Sequence, residues 1–205
     1  MTIRAGIIDY EMGNLRSVQK ALESVGAEAD IVSDPGDLKR YSHIILPGVG
    51  AFRDAIAQLR KSGMADAFLE MVGSGRPCLG VCLGLQLLFE RSFEAGEHEG
   101  LGLLKGDVVR FEAQEGLKIP HMGWNHLKIE RQDPLMDGLG ESPCVYFVHS
   151  YHAVAGDQAD VIATSDHGSR FVAAVGRGNL RACQFHPEKS QAIGLKIYQN
   201  FMKMT

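Results

Sequence analysis

Leu79-Gly80-Val81-Cys82-Leu83-Gly84-Leu85-Gln86 decides how the rest of the chain is read. Arg76 to Val81 has the composition of a buried strand, while Leu85, Leu87, Leu88 and Phe89 mark the start of a packed helix. A tight strand-to-helix turn therefore falls on Cys82. The glycines on either side remove Cβ atoms that would clash in so sharp a turn, and they let the thiol project from the end of a sheet. The expected helix puts a partial positive charge and free N–H groups beside the sulfur, with the Leu83 N–H the natural donor to an oxyanion. A cysteine in an apolar run is ordinarily a small core residue. The flanking glycines single Cys82 out as a nucleophile, whereas Cys78, Cys144 and Cys183 lack that setting and are assigned to the core. No Cys-x-x-Cys pair occurs, so a zinc site or dithiol motif has no support, and neither metal nor cofactor is expected.

Upstream of this turn, strands and helices alternate. Ile3 to Asp9 is strand-like, and Gly13-Asn14 opens a helix carrying Leu15, Val18, Leu22 and Val25 at helical spacing until Gly26. Ala29 to Val32 is a second strand, Asp34-Pro35-Gly36 a turn, and Ser42 to Leu46 a third strand ending in Pro47-Gly48-Val49-Gly50. A helical stretch broken near Gly63 runs from Phe52 to about Val72. This alternation predicts an α/β fold, a mostly parallel central sheet flanked by helices. After Phe93 the pattern changes to short strands between Gly, Asp and Pro turns: Val108 to Phe111, Leu127 to Glu130, Val145 to Val148, Val161 to Thr164, Phe171 to Val175 and Leu180 to Phe185. They form an antiparallel or mixed extension, and a helix carrying Ile193, Ile197 and Phe201 follows. Glu94 to Gly100 carries no clear pattern. With no repeat or linker, residues 1–205 are expected to form one domain.

A nucleophilic thiol needs a base, and among eight histidines His186 has the most informative neighbours, Cys183-Gln184-Phe185-His186-Pro187-Glu188. Pro187 disfavours helical geometry at His186, so the chain should leave its strand extended, with His186 and Glu188 on one side. Glu188 could then orient the imidazole while the other ring nitrogen faces a thiol. Alone, His-Pro-Glu fits a surface turn equally well. Coupled to Cys82, both motifs belong at the carboxyl ends of strands, where α/β sheets carry their sites. Pro47-Gly48-Val49-Gly50 lacks the Gly-Lys-Ser/Thr ending of a phosphate loop. It is either a plain strand-ending turn or a source of bare N–H groups at Val49 and Gly50 for an oxyanion.

The chain is 45% hydrophobic and 22% charged with a formal net charge of −4, an ordinary globular composition that gives no electrostatic reason to bind nucleic acid or an anionic membrane. Met1-Thr2-Ile3-Arg4 enters a strand without a leader-like apolar stretch, and no segment is long enough to span a bilayer. A reactive cysteine with no paired pattern is expected in the reducing cytoplasm.

Pro77 to Gln86 together with Phe185 to Glu188 resembles the triad glutamine amidotransferases of class I, with no departure at the three triad positions. Pro47-Gly48-Val49-Gly50-Ala51-Phe52, Pro120-His121-Met122-Gly123-Trp124-Asn125 and Phe147-Val148-His149-Ser150-Tyr151 are similar to the branch whose glutaminase subunit docks on a (β/α)₈ barrel cyclase of histidine biosynthesis. The resemblance implies a flavodoxin-like sheet and hydrolysis of L-glutamine. Cys82 would attack the carboxamide, His186 would move the proton and Glu188 would hold the ring. Leu83, Val49 and Gly50 would meet the oxyanion. It further implies that Gly50, Gln86, His149, Ser150 and Tyr151 recognise the α-amino and α-carboxylate groups. From the residues alone, Gln86 could instead lie on a solvated helix face and Tyr151 could simply pack.

The same resemblance implies a heterodimer in which ammonia passes to the cyclase and acceptor binding on the cyclase switches on glutamine hydrolysis. Pro120, Met122, Trp124, Asn125, Tyr146 and Lys189 would lie near the contact. Without the family, Trp124 in its loop-like segment is either a partly buried structural residue or an interface anchor. Sister glutaminases serving anthranilate, aminodeoxychorismate or pyridoxal phosphate synthesis, a free-standing cysteine γ-glutamyl hydrolase and a non-catalytic scaffold are the alternatives.

Overall fold

Residues 3–205 are described by the computed structural model. Met1 and Thr2, expected to lead into the first strand, lie outside the described residues. The parallel half follows the periodicity closely: β1 Arg4–Ile8, α1 Leu15–Ser24, β2 Glu28–Val32, β3 His43–Leu46, α2 Phe52–Lys61, α3 Met64–Gly73 and β4 Cys78–Val81. Gly63, at φ 76°, separates α2 from α3 in the left-handed region that glycine tolerates.

Alternate residues of these strands enter different cores. Ile44 and Leu46 of β3 pack with Phe52, Leu59 and Phe68 under α2 and α3. Ile45 of the same strand and Leu79 and Val81 of β4 pack on the other face with Val18 and Leu22 of α1. Ile197 and Phe201 of the last helix, α5 Gln191–Phe201, complete that second core. The strands are thus buried on both faces, as a parallel sheet requires.

The later strands are β5 Phe89–Ser92, β6 His98–Glu99, β7 Leu104–Arg110, β8 His121–His126, β9 Lys128–Ile129, β10 Cys144–His149, β11 Tyr151–Ala155, β12 Val161–Asp166, β13 Arg170–Arg177 and β14 Leu180–Cys183. The main sheet has the order β2-β1-β3-β4-β14-β13-β12-β9, parallel from β2 to β14 and antiparallel beyond. A β10–β8 ribbon and a β11-β7-β5-β6 sheet stand beside it. β14 pairs with β4 so that Cys183 lies opposite Val81, and the two chains that carry Cys82 and His186 leave the sheet side by side.

Four expectations change. The helix after Cys82 is a single turn, α4 Leu83–Gln86, and Leu87, Leu88 and Phe89 do not continue it. Leu101 N–H donates to the Leu87 carbonyl at 2.8 Å and Leu104 N–H to that of Leu88 at 3.0 Å, taking acceptors that a longer helix would use. Leu87, Leu88 and Phe89 are all buried, so their spacing could not tell helix from strand. Glu188 lies in a 3₁₀ turn, Pro187–Lys189, rather than in an extended tail. Trp124 lies in β8, not in a loop, because it pairs across the ribbon with Tyr146. Leu127 to Glu130 shrinks to β9, two residues at the edge of the main sheet.

Candidate active site

Cys82 has φ 55° and ψ −111°, a backbone conformation that non-glycine residues rarely adopt. Its N–H donates to the Cys183 carbonyl at 2.8 Å, and the Leu85 N–H returns to the Cys82 carbonyl at 3.0 Å. Both flanking glycines are sterically required. A Cβ on Gly84 would run into the Leu46 carbonyl, and one on Gly80 would sit 2.8 Å from the Gly84 oxygen. The turn is therefore pressed against the end of β3, which delivers Pro47-Gly48-Val49-Gly50 to the same spot. Tyr10 fixes that segment by donating its hydroxyl to the Pro47 carbonyl at 2.9 Å.

His186 reaches the site from the end of β14. Its Nδ1 lies 2.7 Å from Glu188 Oε1, both side chains being almost fully buried. The expected pair forms, but the 3₁₀ turn makes it: Lys189 N–H donates to the His186 carbonyl at 3.0 Å and folds Glu188 back beneath the ring. Burial alone would lower the His186 pKa, but the adjoining Cys82 sulfur and the Glu188 carboxylate outweigh it and raise it to about 10. The His186 ring is thus held charged beside the sulfur and the carboxylate. Burial pushes the Cys78 thiol up to about 12 against the pull of Arg76, and drives Cys183 well above its ordinary value with Glu188 and Cys82 adding to it. Those two stay protonated and unreactive, as their assignment to the core requires. Cys144 is only half-buried, on the ribbon.

Cys82 and His186 open on a pocket of about 270 Å³ with Val49, Gly50, Leu83, Gln86, His149, Ser150, Tyr151 and Lys189 in its wall. Its size suits a small molecule rather than a length of peptide. Nearly every expected binding residue is therefore brought together. Gln86 is buried, its amide nitrogen donating to the Tyr151 carbonyl at 2.9 Å and to Gln184 Oε1 at 3.0 Å. It does not lie on a solvated face, and what it can still offer a ligand is its carbonyl oxygen. The first N–H groups of a helical turn have no partner within it, so the Leu83 N–H points free beside the sulfur.

Two wall residues escaped the sequence reading. Glu94 lies in the stretch without pattern, yet its Oε2 accepts from the Phe52 N–H at 2.7 Å, which fixes a carboxylate at the pocket edge. Val148 joins it from β10. Only the β5–β7 pairing brings Glu94 there, and no local signal could have shown it. Among the described residues no His, Cys, Asp and Glu cluster suits a metal, and no helix is long and apolar enough to cross a membrane.

The expected contact residues divide by face. Met122 and Trp124 are 65% and 48% exposed on the outer side of the β8–β10 ribbon. Tyr146 stands edge-on to Trp124 at 6.0 Å between ring centroids, and Lys189 Nζ lies 5.8 Å above the Tyr146 ring. This patch adjoins the pocket mouth, because Lys189 belongs to both. Pro120 is exposed at the start of β8. Asn125 turns to the opposite face, its Nδ2 donating to the Asp166 carbonyl at 2.7 Å, as strand alternation from Trp124 demands.

Comparison with known proteins agrees with this geometry. The family described as Glutamine amidotransferase class-I matches residues 6–204. The chain is 53% identical to the imidazole glycerol phosphate synthase subunit HisH of Syntrophotalea carbinolica over 97% of its own length and 98% of the relative's. It is 50% identical to the HisH subunit of Wolinella succinogenes, with the same coverage. Among solved structures, a chain of PurLQS from Thermotoga maritima superposes with a TM-score of 0.77 at 27% identity, covering 98% of each chain.

Proposed function

The chain belongs to the class-I glutamine amidotransferases, and we infer that it is the glutaminase subunit of an imidazole glycerol phosphate synthase, hydrolysing L-glutamine to glutamate and ammonia. The relatives that bear that name, half identical over the whole chain, carry the choice among amidotransferases. The chemistry is carried by one observation: a buried His186–Glu188 pair at 2.7 Å faces Cys82 in a single small-molecule pocket.

Cys82 attacks the glutamine carboxamide as the thiolate, and the oxygen that becomes negative is met by N–H groups of Leu83 and of the Val49-Gly50 segment. His186 gives its proton to the departing nitrogen, and ammonia leaves as the glutamyl thioester forms. Water then enters, His186 takes a proton from it, and hydrolysis frees glutamate and restores the thiol. Glu188 accepts from Nδ1 beneath the ring throughout and stabilises the imidazolium. The Glu94 carboxylate and the Gln86 carbonyl oxygen suit the α-ammonium of glutamine, while Ser150 and the Tyr151 segment suit its carboxylate. Residues 1–205 act as a single domain in this reading, and cytoplasmic residence fits the free thiols.

The exposed Met122 and Trp124, with half-buried Tyr146 and with Lys189, form the docking face for a (β/α)₈ barrel cyclase, which receives ammonia directly from the adjoining pocket. Aromatic residues and methionine enrich such interfaces, and protonation would remove ammonia released to water. The decisive experiment mixes the chain with such a cyclase and its ribulosyl-phosphate formimino acceptor and measures glutamate release. Release that needs the full mixture and disappears in Cys82→Ser supports the assignment. Release by the isolated chain on γ-glutamyl peptides would point instead to a free-standing hydrolase.

A further inference from the structure

Next to Cys82 in the β14 extension lies Gln184, a fully buried polar side chain whose Nε2 is 3.8 Å from the Cys82 sulfur. Its orientation follows from the Tyr151 carbonyl, which fixes the Gln86 amide and is shared with a run of histidines across the ribbon. Tyr151 contributes a backbone carbonyl, which can only accept. His149 Nδ1, 2.8 Å from it, must therefore carry a proton. In a neutral ring Nε2 is then an acceptor, so His121 Nδ1, 3.2 Å away, must donate to it. That leaves His121 Nε2 to accept from Asn125 Nδ2 at 3.2 Å.

From the other side, Gln86 Nε2 donates to the same Tyr151 carbonyl at 2.9 Å and to Gln184 Oε1 at 3.0 Å. The carbonyl end of Gln184 is thereby taken, and only its N–H end can face the sulfur. Flipping Gln86 would bring its oxygen against two acceptors, and flipping Gln184 would bring its N–H groups against those of Gln86. Both rings are suited to the neutral state this needs. Burial, aided by neighbouring histidines, lowers His149 to about 3 and His121 to about 4, with His167 stacked 4.2 Å from His121 and Phe111, Phe147 and Phe171 around them.

We infer that Gln184 is a further residue of the catalytic centre, donating an amide N–H to the Cys82 thiolate, and that Gln86, fixed by the Tyr151 carbonyl it shares with His149, is the positioning residue that holds its amide that way round. A hydrogen bond to the charged form favours that form. Gln184 thus stabilises the thiolate before glutamine arrives, and an inverted amide would oppose it. The inference rests on Cys82 being the nucleophile.

The test is the pH dependence of Cys82 alkylation by iodoacetamide in the full chain, with Cys82→Ser as the blank and thermal melting as the check on folding. Gln184→Met, similar in size but without the N–H, should move the alkylation midpoint upward by about one pH unit. Gln86→Met, which releases the Gln184 carbonyl end, should move it the same way by less, and the double variant should show less than the sum, because both act on one arrangement. An unchanged midpoint in a folded Gln184→Met protein would overturn the inference. If Gln184→Met does not fold, Gln86→Met decides alone: an upward shift supports the arrangement and an unchanged midpoint removes it. Failure of the underlying reading looks different, since glutamate release by Cys82→Ser would show that Cys82 is not the nucleophile at all.

Discussion

The carboxyl ends of β4 and β14 and the outer face of the β8–β10 ribbon present side chains in opposite ways. At the strand ends Cys82 is 6% exposed and His186 2%, and each is held by backbone bonds and by glycines that leave no slack. On the ribbon, Met122 and Trp124 stand 65% and 48% exposed, with only Tyr146 and Lys189 for company. Burial opposes a charged imidazole, and contact with the sulfur and the carboxylate at fixed geometry offsets it, so the proposed reactive pair needs close backbone support. Association gains from apolar area removed from water when a partner arrives, and exposed Met122 and Trp124 fit the docking role proposed for them.

The contrast can be broken at several points. Cys82→Ser should lower glutamine hydrolysis by at least about a thousandfold in the assembled complex while leaving partner binding, measured by calorimetry, unchanged. Gly84→Ala places a methyl against the Leu46 carbonyl and should cost about 3 kcal/mol of stability by denaturant melting, since backbone must move to admit it. A comparable loss from Trp124→Ala in the isolated chain would erase the distinction between the two surfaces. Trp124→Ala is expected to change stability by less than about 1 kcal/mol, yet to weaken cyclase binding by about 2 kcal/mol, roughly thirtyfold.

The smallest effect concerns charge. The folded pKa of His186, about 10, lies above its ordinary 6.5 because the sulfur and the carboxylate outweigh burial. Its contribution to stability is therefore complete below the ordinary value and is lost as pH rises through about 10. Removing the sulfur in Cys82→Ser should lower the imidazole midpoint seen by NMR by about one unit or more. A midpoint that stays in place would mean that the sulfur carries no charge opposite the ring.

Much of the site was legible because its demands are local. A sharp turn with no room for Cβ atoms calls for glycine at positions 80 and 84, and a proline after His186 shapes the backbone that brings Glu188 beneath the ring, whether by an extended tail or by the 3₁₀ turn that actually forms. The misreadings fall where distant backbone competes. Leu87 to Phe89 are apolar on every side, and their conformation was settled by carbonyls bonded to Leu101 and Leu104. Asn125 and Trp124 stand one residue apart, so strand alternation sent one inward and the other out once β8 paired with β10.

Periodicity and turn chemistry were enough for the strands and helices of the parallel half, the elbow at Cys82 and the pairing of His186 with Glu188, since each depends on neighbours within a few residues. Assembly in space was needed for the Glu94 carboxylate at the pocket edge, for the outward patch and for the direction of the Gln184 amide. Those depend on strands that meet only after long-range pairing, and a hydrogen bond between residues far apart in the chain leaves no mark on either stretch alone.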